Sequence, residues 1–218
     1  MEKVLSENSL ELAKELLSVA PDFTRLYFEN DYVKVVKVSL PPGSELPFHT
    51  TFDRAIYSLS DYSIKWMAKN ERRFENWKKG DAHWHYKSHH DIINIGDSLA
   101  EYLIILRKPL ALPSFNPFDI EYDECIDSLP YVTVKFENDH LKITEITLAP
   151  GQETKMHNGI NRLVYSLNNY KILYIQEDGS EMMEDMQEGN ILWHDPDMHA
   201  FRNIGVSEAK FTMFSFKE

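Results

Sequence analysis

The sequence predicts an all-β protein built from two similar β-sandwiches or small barrels in tandem, preceded by a short N-terminal helix. Two observations predict this architecture. Segments of the first half of the chain recur in the second half, and both halves contain short apolar runs that end at proline or glycine. Because such runs are typical of strands joined by turns, each half is expected to form one β-domain.

The repeat is collinear over two blocks. The segment NDYVKVVKVSLPPGSELPFH, which ends at His49, aligns without a gap with NDHLKITEITLAPGQETKMH, which ends at His157. Farther along, GDAHWHYKSHHDIINIG (80–96) aligns with GNILWHDPDMHAFRNIG (189–205). The offset is 108 residues in the first block and 109 in the second, a slip of one residue. Two matching blocks in the same order indicate an internal duplication.

The duplication sets the predicted boundaries. The two β-domains are expected at 27–108 and 135–218, with an N-terminal helical segment at 1–26 and a linker at 109–134 that is rich in proline and acidic residues. Within the first segment a helix is expected over 8–20.

The N-terminal helix has recognisable ends. Asn8 can cap it, Glu11 stands three residues later as in a capping box, and Pro21 ends it. Leu10, Ala13 and Leu17 would then share one face that packs against the first β-domain.

The composition excludes several classes of partner. The 218 residues are 43% hydrophobic and carry a formal net charge of −12, with a pI near 5.2. An acidic surface argues against binding to nucleic acid or to an anionic membrane. No apolar run approaches the roughly 20 residues that span a bilayer, and no signal peptide is evident. A single cysteine, Cys125, fits a reducing compartment, so a cytoplasmic protein is expected.

Glycine, histidine and asparagine spacings resemble the two sequence motifs of the cupin superfamily. Gly43 precedes His49 by five intervening residues, as Gly151 precedes His157, and this matches the start of the first motif. The second motif, one residue shorter than usual, is matched in both halves by Gly80, His90 and Asn94, and by Gly189, His199 and Asn203. The chain therefore resembles a bicupin, which implies two tandem jelly-roll barrels.

The resemblance implies a metal site in each barrel, but only part of the ligand set is present. The retained histidines are His49, His90, His157 and His199. The second histidine of the first motif is replaced by Thr51 and Gly159. At the usual spacing its glutamate falls on Ala55 or Ile56 and on Leu163 or Val164; if the loop is one residue shorter, it falls on Arg54 and Arg162, and no register supplies a carboxylate. Two imidazoles hold a divalent ion weakly, and a guanidinium offers no lone pair. If an ion such as iron, manganese, nickel or zinc binds, these four histidines are the expected ligands.

The arginine in the glutamate position suggests a second hypothesis. Strand alternation would place Arg54 and Ser58 on one face, as it would Arg162 and Ser166. With the histidines they would form a cationic pocket in each barrel that suits a carboxylate or phosphate. The alternative is an arginine at the barrel mouth paired with a nearby acid such as Asp53.

The first barrel carries further histidines at His83, His85 and His89. One of them could complete a non-standard metal site with His49 and His90. For His85 and its counterpart His194 we expect instead a position on the outside of the barrel, with the preceding tryptophans, Trp84 and Trp193, in the core.

Three functions follow from these observations. The first is a small-molecule-binding protein that recognises an anionic metabolite. The second is a metal-dependent enzyme, a dioxygenase or an isomerase of the kind the cupin superfamily contains. The third is a scaffold whose function lies in a dimer surface. No catalytic residue is predicted, and a homodimer is expected by analogy with the family.

Overall fold

The computed structural model describes residues 16–113 and 129–217. The chain divides into two compact units, Met1–Ala111 and Leu112–Glu218. Cys125, most of the predicted linker and the first part of the predicted helix, including Leu10 and Ala13, lie outside the described residues. Within the described part of the chain, no helix is long and apolar enough to cross a membrane.

The first unit contains nine strands. Their bounds are β1 (Thr24–Glu29), β2 (Val33–Leu40), β3 (Glu45–Thr51), β4 (Arg54–Ser58), β5 (Tyr62–Ala68), β6 (Glu71–Trp77), β7 (Ala82–His85), β8 (Ser88–Asn94) and β9 (Ala100–Arg107). All pair antiparallel, in a five-stranded sheet ordered β1-β2-β9-β4-β7 and a four-stranded sheet ordered β3-β8-β5-β6.

The second unit repeats this arrangement strand for strand. Its strands are β10 (Val132–Glu137), β11 (Leu141–Leu148), β12 (His157–Gly159), β13 (Arg162–Ser166), β14 (Tyr170–Gln176), β15 (Glu181–Met186), β16 (Ile191–His194), β17 (Asp197–Asn203) and β18 (Ala209–Phe216). The sheets are ordered β10-β11-β18-β13-β16 and β12-β17-β14-β15. The predicted all-β fold with two tandem jelly-roll barrels is therefore confirmed.

The two units agree in local detail as well as in strand order. The register between the first two strands shifts between Leu26 and Phe28 in one unit and between Val134 and Phe136 in the other. Each barrel begins three residues before the predicted boundary, since β1 starts at Thr24 and β10 at Val132. A duplicated sequence has thus kept its irregularities together with its strands.

A hydrophobic core fills the space between the two sheets of each barrel. In the first barrel Val36 and Ile104 from one sheet meet Ile64 and Ile92 from the other, and all are buried. The helix described at 16–19 adds Leu16 to this core, with Leu17 partly buried against it. Leu17 therefore packs against the first barrel as predicted, and within the described residues Leu16 is buried more deeply beside it.

The second barrel has its own hydrophobic core. The cluster includes Ile146 and Phe211 from one sheet, with Ile172 and Phe201 from the other. Two apolar sheet faces closed on each other exclude water, which makes any polar group placed between them dependent on partners within the barrel.

A buried asparagine makes three equivalent hydrogen bonds in each barrel. Asn94 donates from Nδ2 to the carbonyls of Leu40 and Ser98, both at 2.8 Å, and its Oδ1 accepts from the Gly96 amide at 3.0 Å. Asn203 makes the same three bonds in the second barrel, to Leu148, Ser207 and Gly205. The repeated asparagine therefore joins the strand end to two turns.

Asn94→Ala and Asn203→Ala are expected to lower the free energy of unfolding by similar amounts. Each change removes three hydrogen bonds and leaves one buried carbonyl, that of Leu40 or Leu148, without its amide donor, at a cost of about 3 kcal/mol. Urea unfolding curves for the two variants measure the effect. Asn76→Ala, at an exposed position on β6, serves as the control and changes stability little. A loss well below 1 kcal/mol in both asparagine variants would contradict this role.

Candidate functional site

The first barrel encloses a cavity of about 30 Å³ between its sheets, here called the first cavity. Its polar lining comes from six strands: His49 on β3, Arg54 on β4, Trp66 on β5, His83 and His85 on β7, His90 on β8 and Tyr102 on β9. A volume of this size holds about two water-sized groups.

Strand register brings the key side chains together. His49 pairs directly with His90 across β3 and β8, and their rings lie 4.7 Å apart between centroids. Arg54 pairs directly with His85 across β4 and β7. Because directly opposed residues share a face of the sheet, the inward Arg54 brings His85 inward with it.

The expected outside position of His85 and His194 is therefore wrong. His85 lines the first cavity, and His194, the partner of Arg162 across β13 and β16, lines the matching cavity of the second barrel. The alternation along each strand then turns Trp84 and Trp193 to the opposite face, where both are only partly buried rather than in the core.

Arg54 is buried without an acidic partner among the contacts of the described chain. Only 3% of the residue is exposed, and its Nη1 donates to the carbonyl of Phe52 at 3.1 Å. Burial lowers the pKa of Arg54 to about 10, so the guanidinium still carries its charge at neutral pH. Asp53, the acid proposed to pair with it, makes no ion pair with Arg54: its carboxylate accepts from the Lys87 amide at 2.7 Å, and its charge only partly opposes the lowering of the pKa of Arg54.

Several buried polar atoms around the first cavity lack a hydrogen-bond partner. They are Arg54 Nε, Trp66 Nε1, His83 Nδ1, His90 Nε2 and Tyr102 OH. No acidic side chain lines this cavity among the described residues. Buried polar groups in folded proteins almost always have partners, so a cluster of unpartnered atoms around one cavity makes this cavity the candidate site for a bound polar group.

The histidines of the first cavity are neutral at physiological pH. Burial is the main cause, and the charge of Arg54 adds to it. Together they lower the pKa of His90 to about 2, of His83 to about 3 and of His85 to about 4. His49 donates from Nδ1 to the Pro47 carbonyl at 2.7 Å, which leaves the lone pair on its Nε2. Arg54 is thus the one permanent charge among the residues that line the first cavity.

The second barrel encloses a cavity of equal volume, about 30 Å³, with a different polar arrangement; we call it the second cavity. Here Arg162 Nη2 donates to Asp197 Oδ1 at 2.9 Å and to Tyr174 OH at 2.7 Å. The Tyr174 hydroxyl also donates to the other Asp197 oxygen. The guanidinium is therefore satisfied by a carboxylate of its own barrel.

The carboxylate of Asp197 is held in its ionised form. Burial favours the neutral acid, but the hydrogen bond from His199 and the charge of Arg162 outweigh it and lower the pKa of Asp197 well below its ordinary value. His199 donates from Nδ1 to Asp197 at 3.0 Å. Burial also lowers the pKa of His199, so this histidine is a neutral donor.

The guanidinium of Arg162 also occupies the space into which a side chain at position 159 would point. A Cβ added at Gly159 would overlap Arg162 Nη1 and lie 2.7 Å from His199 Cε1. The second histidine of the metal motif could not be accommodated here, and a cationic side chain stands in its place.

The residues present do not fit a divalent metal. Within the described ranges, no group of three or more His, Cys, Asp or Glu residues could hold an ion. His49 and His90 form one pair and His157 and His199 another, with ring centroids 4.7 Å and 4.3 Å apart. Arg162 Nη2 lies 3.4 Å from His199 Nε2, where it would repel a metal cation.

The remaining predicted ligand residues lie deeper than expected. Ser58 and Ser166 are fully buried but line neither cavity; their hydroxyls bond Tyr62 OH at 3.2 Å and Tyr170 OH at 3.1 Å. The prediction missed Asp197. The signal that could have revealed it is its alignment with Ser88, a difference inside the repeat.

Comparison with known proteins supports the architecture. Solved structures with similar folds include AerE from Microcystis aeruginosa, with 13% identity, a TM-score of 0.62 and coverage of 90% of this chain and 93% of that one. An oxalate decarboxylase from Bacillus subtilis has 11% identity and a TM-score of 0.61, over 89% and 77% of the two chains. A cupin 2 conserved barrel protein from Leptotrichia buccalis has 16% identity and a TM-score of 0.52, over 89% and 88%.

The fold and the two equivalent cavities define a protein of cupin fold, with two cupin barrels in tandem. No family model matches the sequence, and no curated protein matches it. At these identities the likeness shows the fold alone, so function has to be argued from the cavities themselves.

The buried histidines predict a pH dependence of stability. The pKa of His85 and of His194 is lowered to about 4, mainly by burial, from an ordinary value of 6.5. Between pH 6.5 and 4 the unfolded chain therefore binds more protons, and the free energy of unfolding falls as pH falls. His85→Gln and His194→Gln should each reduce this slope, by at most about 1.4 kcal/mol per pH unit.

Urea unfolding at several pH values between 6.5 and 5 measures this dependence. The control is His89→Gln, which changes an exposed histidine and should leave the slope as in the wild type. A slope that is unchanged in both cavity variants would mean that these histidines are not buried in the neutral form.

Proposed function

We propose that the chain is a small-molecule-binding bicupin whose ligand site is the first cavity and whose ligand is an anion held by Arg54. The observation that carries this proposal is a fully buried guanidinium with an unpartnered Nε and no acidic residue around its cavity. The sequence had suggested such a pocket in both barrels. In the second barrel, Asp197 already neutralises Arg162, so the proposal is limited to the first.

The electrostatics favour an anion over a neutral ligand. An unpaired charge inside a protein is costly because the low-dielectric interior replaces its hydration poorly. A bound anion supplies the missing counter-charge, and charge-assisted hydrogen bonds to it are about twice as strong as neutral ones. The Nε1–H of Trp66 and a ring N–H of His83 or His90 can add further donors to the same anion.

The alternative function, a metal-dependent dioxygenase or isomerase, is less well supported. Bacillus subtilis oxalate decarboxylase contains Mn(II) centres, and it has a similar fold. In this chain each histidine pair lacks a third ligand within the described residues, and each shares its cavity with an arginine. We therefore derive no reaction step through a metal.

Arg54→Gln tests the proposal. Calorimetric titration with formate, acetate and phosphate should show anion binding to the wild type and a loss of roughly tenfold or more in affinity in the variant. Without ligand, Arg54→Gln should raise the melting temperature, because the change removes a buried charge that has no counter-ion.

The matched control is Arg162→Gln in the second barrel. It should leave anion affinity unchanged but lower stability by about 2 kcal/mol, because Asp197 loses its partner. Wild-type protein that binds none of these anions would overturn the proposal. Near-stoichiometric iron, manganese, nickel or zinc in the purified protein, lost in His90→Ala, would instead support the metal enzyme.

A further inference from the structure

The two barrels carry different residues at an equivalent position close to the last motif histidine. Ser88 and Asp197 each stand two residues before the last motif histidine. In the strand ladders Ser88 pairs with Thr51, and Asp197 with Gly159. Because the registers are the same, the two side chains occupy equivalent places in their barrels.

The same position is also bound to the same histidine in both barrels. Ser88 Oγ lies 3.0 Å from Nδ1 of His90, and Asp197 Oδ1 lies 3.0 Å from Nδ1 of His199. From this position Asp197 reaches Arg162 with one oxygen and Tyr174 with the other. The shorter, uncharged Ser88 bonds Thr51 Oγ1 at 3.0 Å instead.

The pattern of unpartnered atoms follows this difference. Residues lining the first cavity hold five buried polar atoms without partners, whereas no residue lining the second cavity holds one among the described atoms. Two carboxylates of the second barrel, Asp197 beside Arg162 and Glu184 in the cavity lining, thus coincide with a lining in which no buried polar atom of the described residues lacks a partner.

We infer that Asp197 is a built-in carboxylate ligand of the second barrel, and that the first barrel takes a free small monocarboxylate in the equivalent place. This inference rests on the proposed function and names its ligand class. Serine or aspartate at this position then decides which barrel binds ligand, and each chain binds one.

Size and hydrogen bonding favour a monocarboxylate among anions. A cavity of about 30 Å³ accommodates the two oxygens of one carboxylate, which corresponds to a molecule between formate and acetate. A planar carboxylate also matches the two-pronged face of a guanidinium. In the second barrel the two oxygens of Asp197 are divided between Arg162 and Tyr174; in the first, Trp66 aligns with Tyr174 and offers its Nε1–H to the second oxygen.

Exchanging the two residues tests the inference. In calorimetric titrations with sodium formate, the wild type should bind one equivalent per chain. Ser88→Asp should weaken formate binding by roughly 10- to 100-fold, because its own carboxylate satisfies Arg54. Ser88→Asn, of the same size but uncharged, should keep formate binding close to that of the wild type.

Asp197→Ser should open the second barrel. The expected result is two equivalents of formate per chain, together with a lower melting temperature that formate restores more than an equal concentration of chloride. If Asp197→Ser does not fold with formate or with chloride, the comparison of Ser88→Asp with Ser88→Asn tests the inference on its own. Full formate binding by Ser88→Asp, or folded Asp197→Ser with a single site, would overturn the inference.

These outcomes separate the inference from the proposed function. Wild-type protein that binds no anion removes both. If the wild type binds phosphate through Arg54 but neither formate nor acetate, the result supports the proposed anion site and contradicts the inference that the ligand is a monocarboxylate.

Discussion

A guanidinium buried between two apolar sheets is the constraint on which the rest of each site depends. Arg54 and Arg162 are both 3% exposed, and the guanidinium group of arginine is a permanent charge. A permanent charge in such a place has to be compensated from within the barrel or by a ligand. Arg54 and Arg162 occupy equivalent sequence positions, but the two barrels differ in how the charge is compensated.

In the second barrel the compensation is internal. Asp197 supplies the carboxylate, Tyr174 supplies a hydroxyl, and Gly159 provides the space in which the guanidinium lies. In the first barrel Ser88 and Trp66 align with Asp197 and Tyr174, and Arg54 keeps an unpartnered Nε. In the proposed account, the arginine of the second barrel is neutralised by its own carboxylate, and the arginine of the first barrel is the site that accepts an anion. Duplication followed by a few substitutions is sufficient to produce this division.

Much of the fold could be predicted from the sequence because duplication makes the pattern redundant. The motif glycines are shared because both copies need them in turns: Gly80 and Gly189 have φ angles of 84° and 85°, which other residues rarely adopt. The histidines and the arginine that replaces the motif glutamate could be identified from the resemblance to the cupin motifs, and they line the cavities, apart from His157 in the second.

Two features of the sites could not be predicted from the sequence, the inward direction of His85 and the role of Asp197. The inward direction of His85 is set by its pairing with Arg54 across β4 and β7, and a strand of four residues carries too little alternation to reveal it. Asp197 was missed for a different reason. A search for residues that the two copies share passes over the positions where they differ, and the asymmetry between the barrels lies at those positions.

The most direct test of the account is a crystal structure of the protein grown in sodium formate at neutral pH. The account predicts one formate in the first barrel within hydrogen-bond distance of Arg54, while Arg162 remains on Asp197 without a formate. Arg54 paired with an acidic side chain of its own barrel, or formate bound at Arg162 instead, would contradict it.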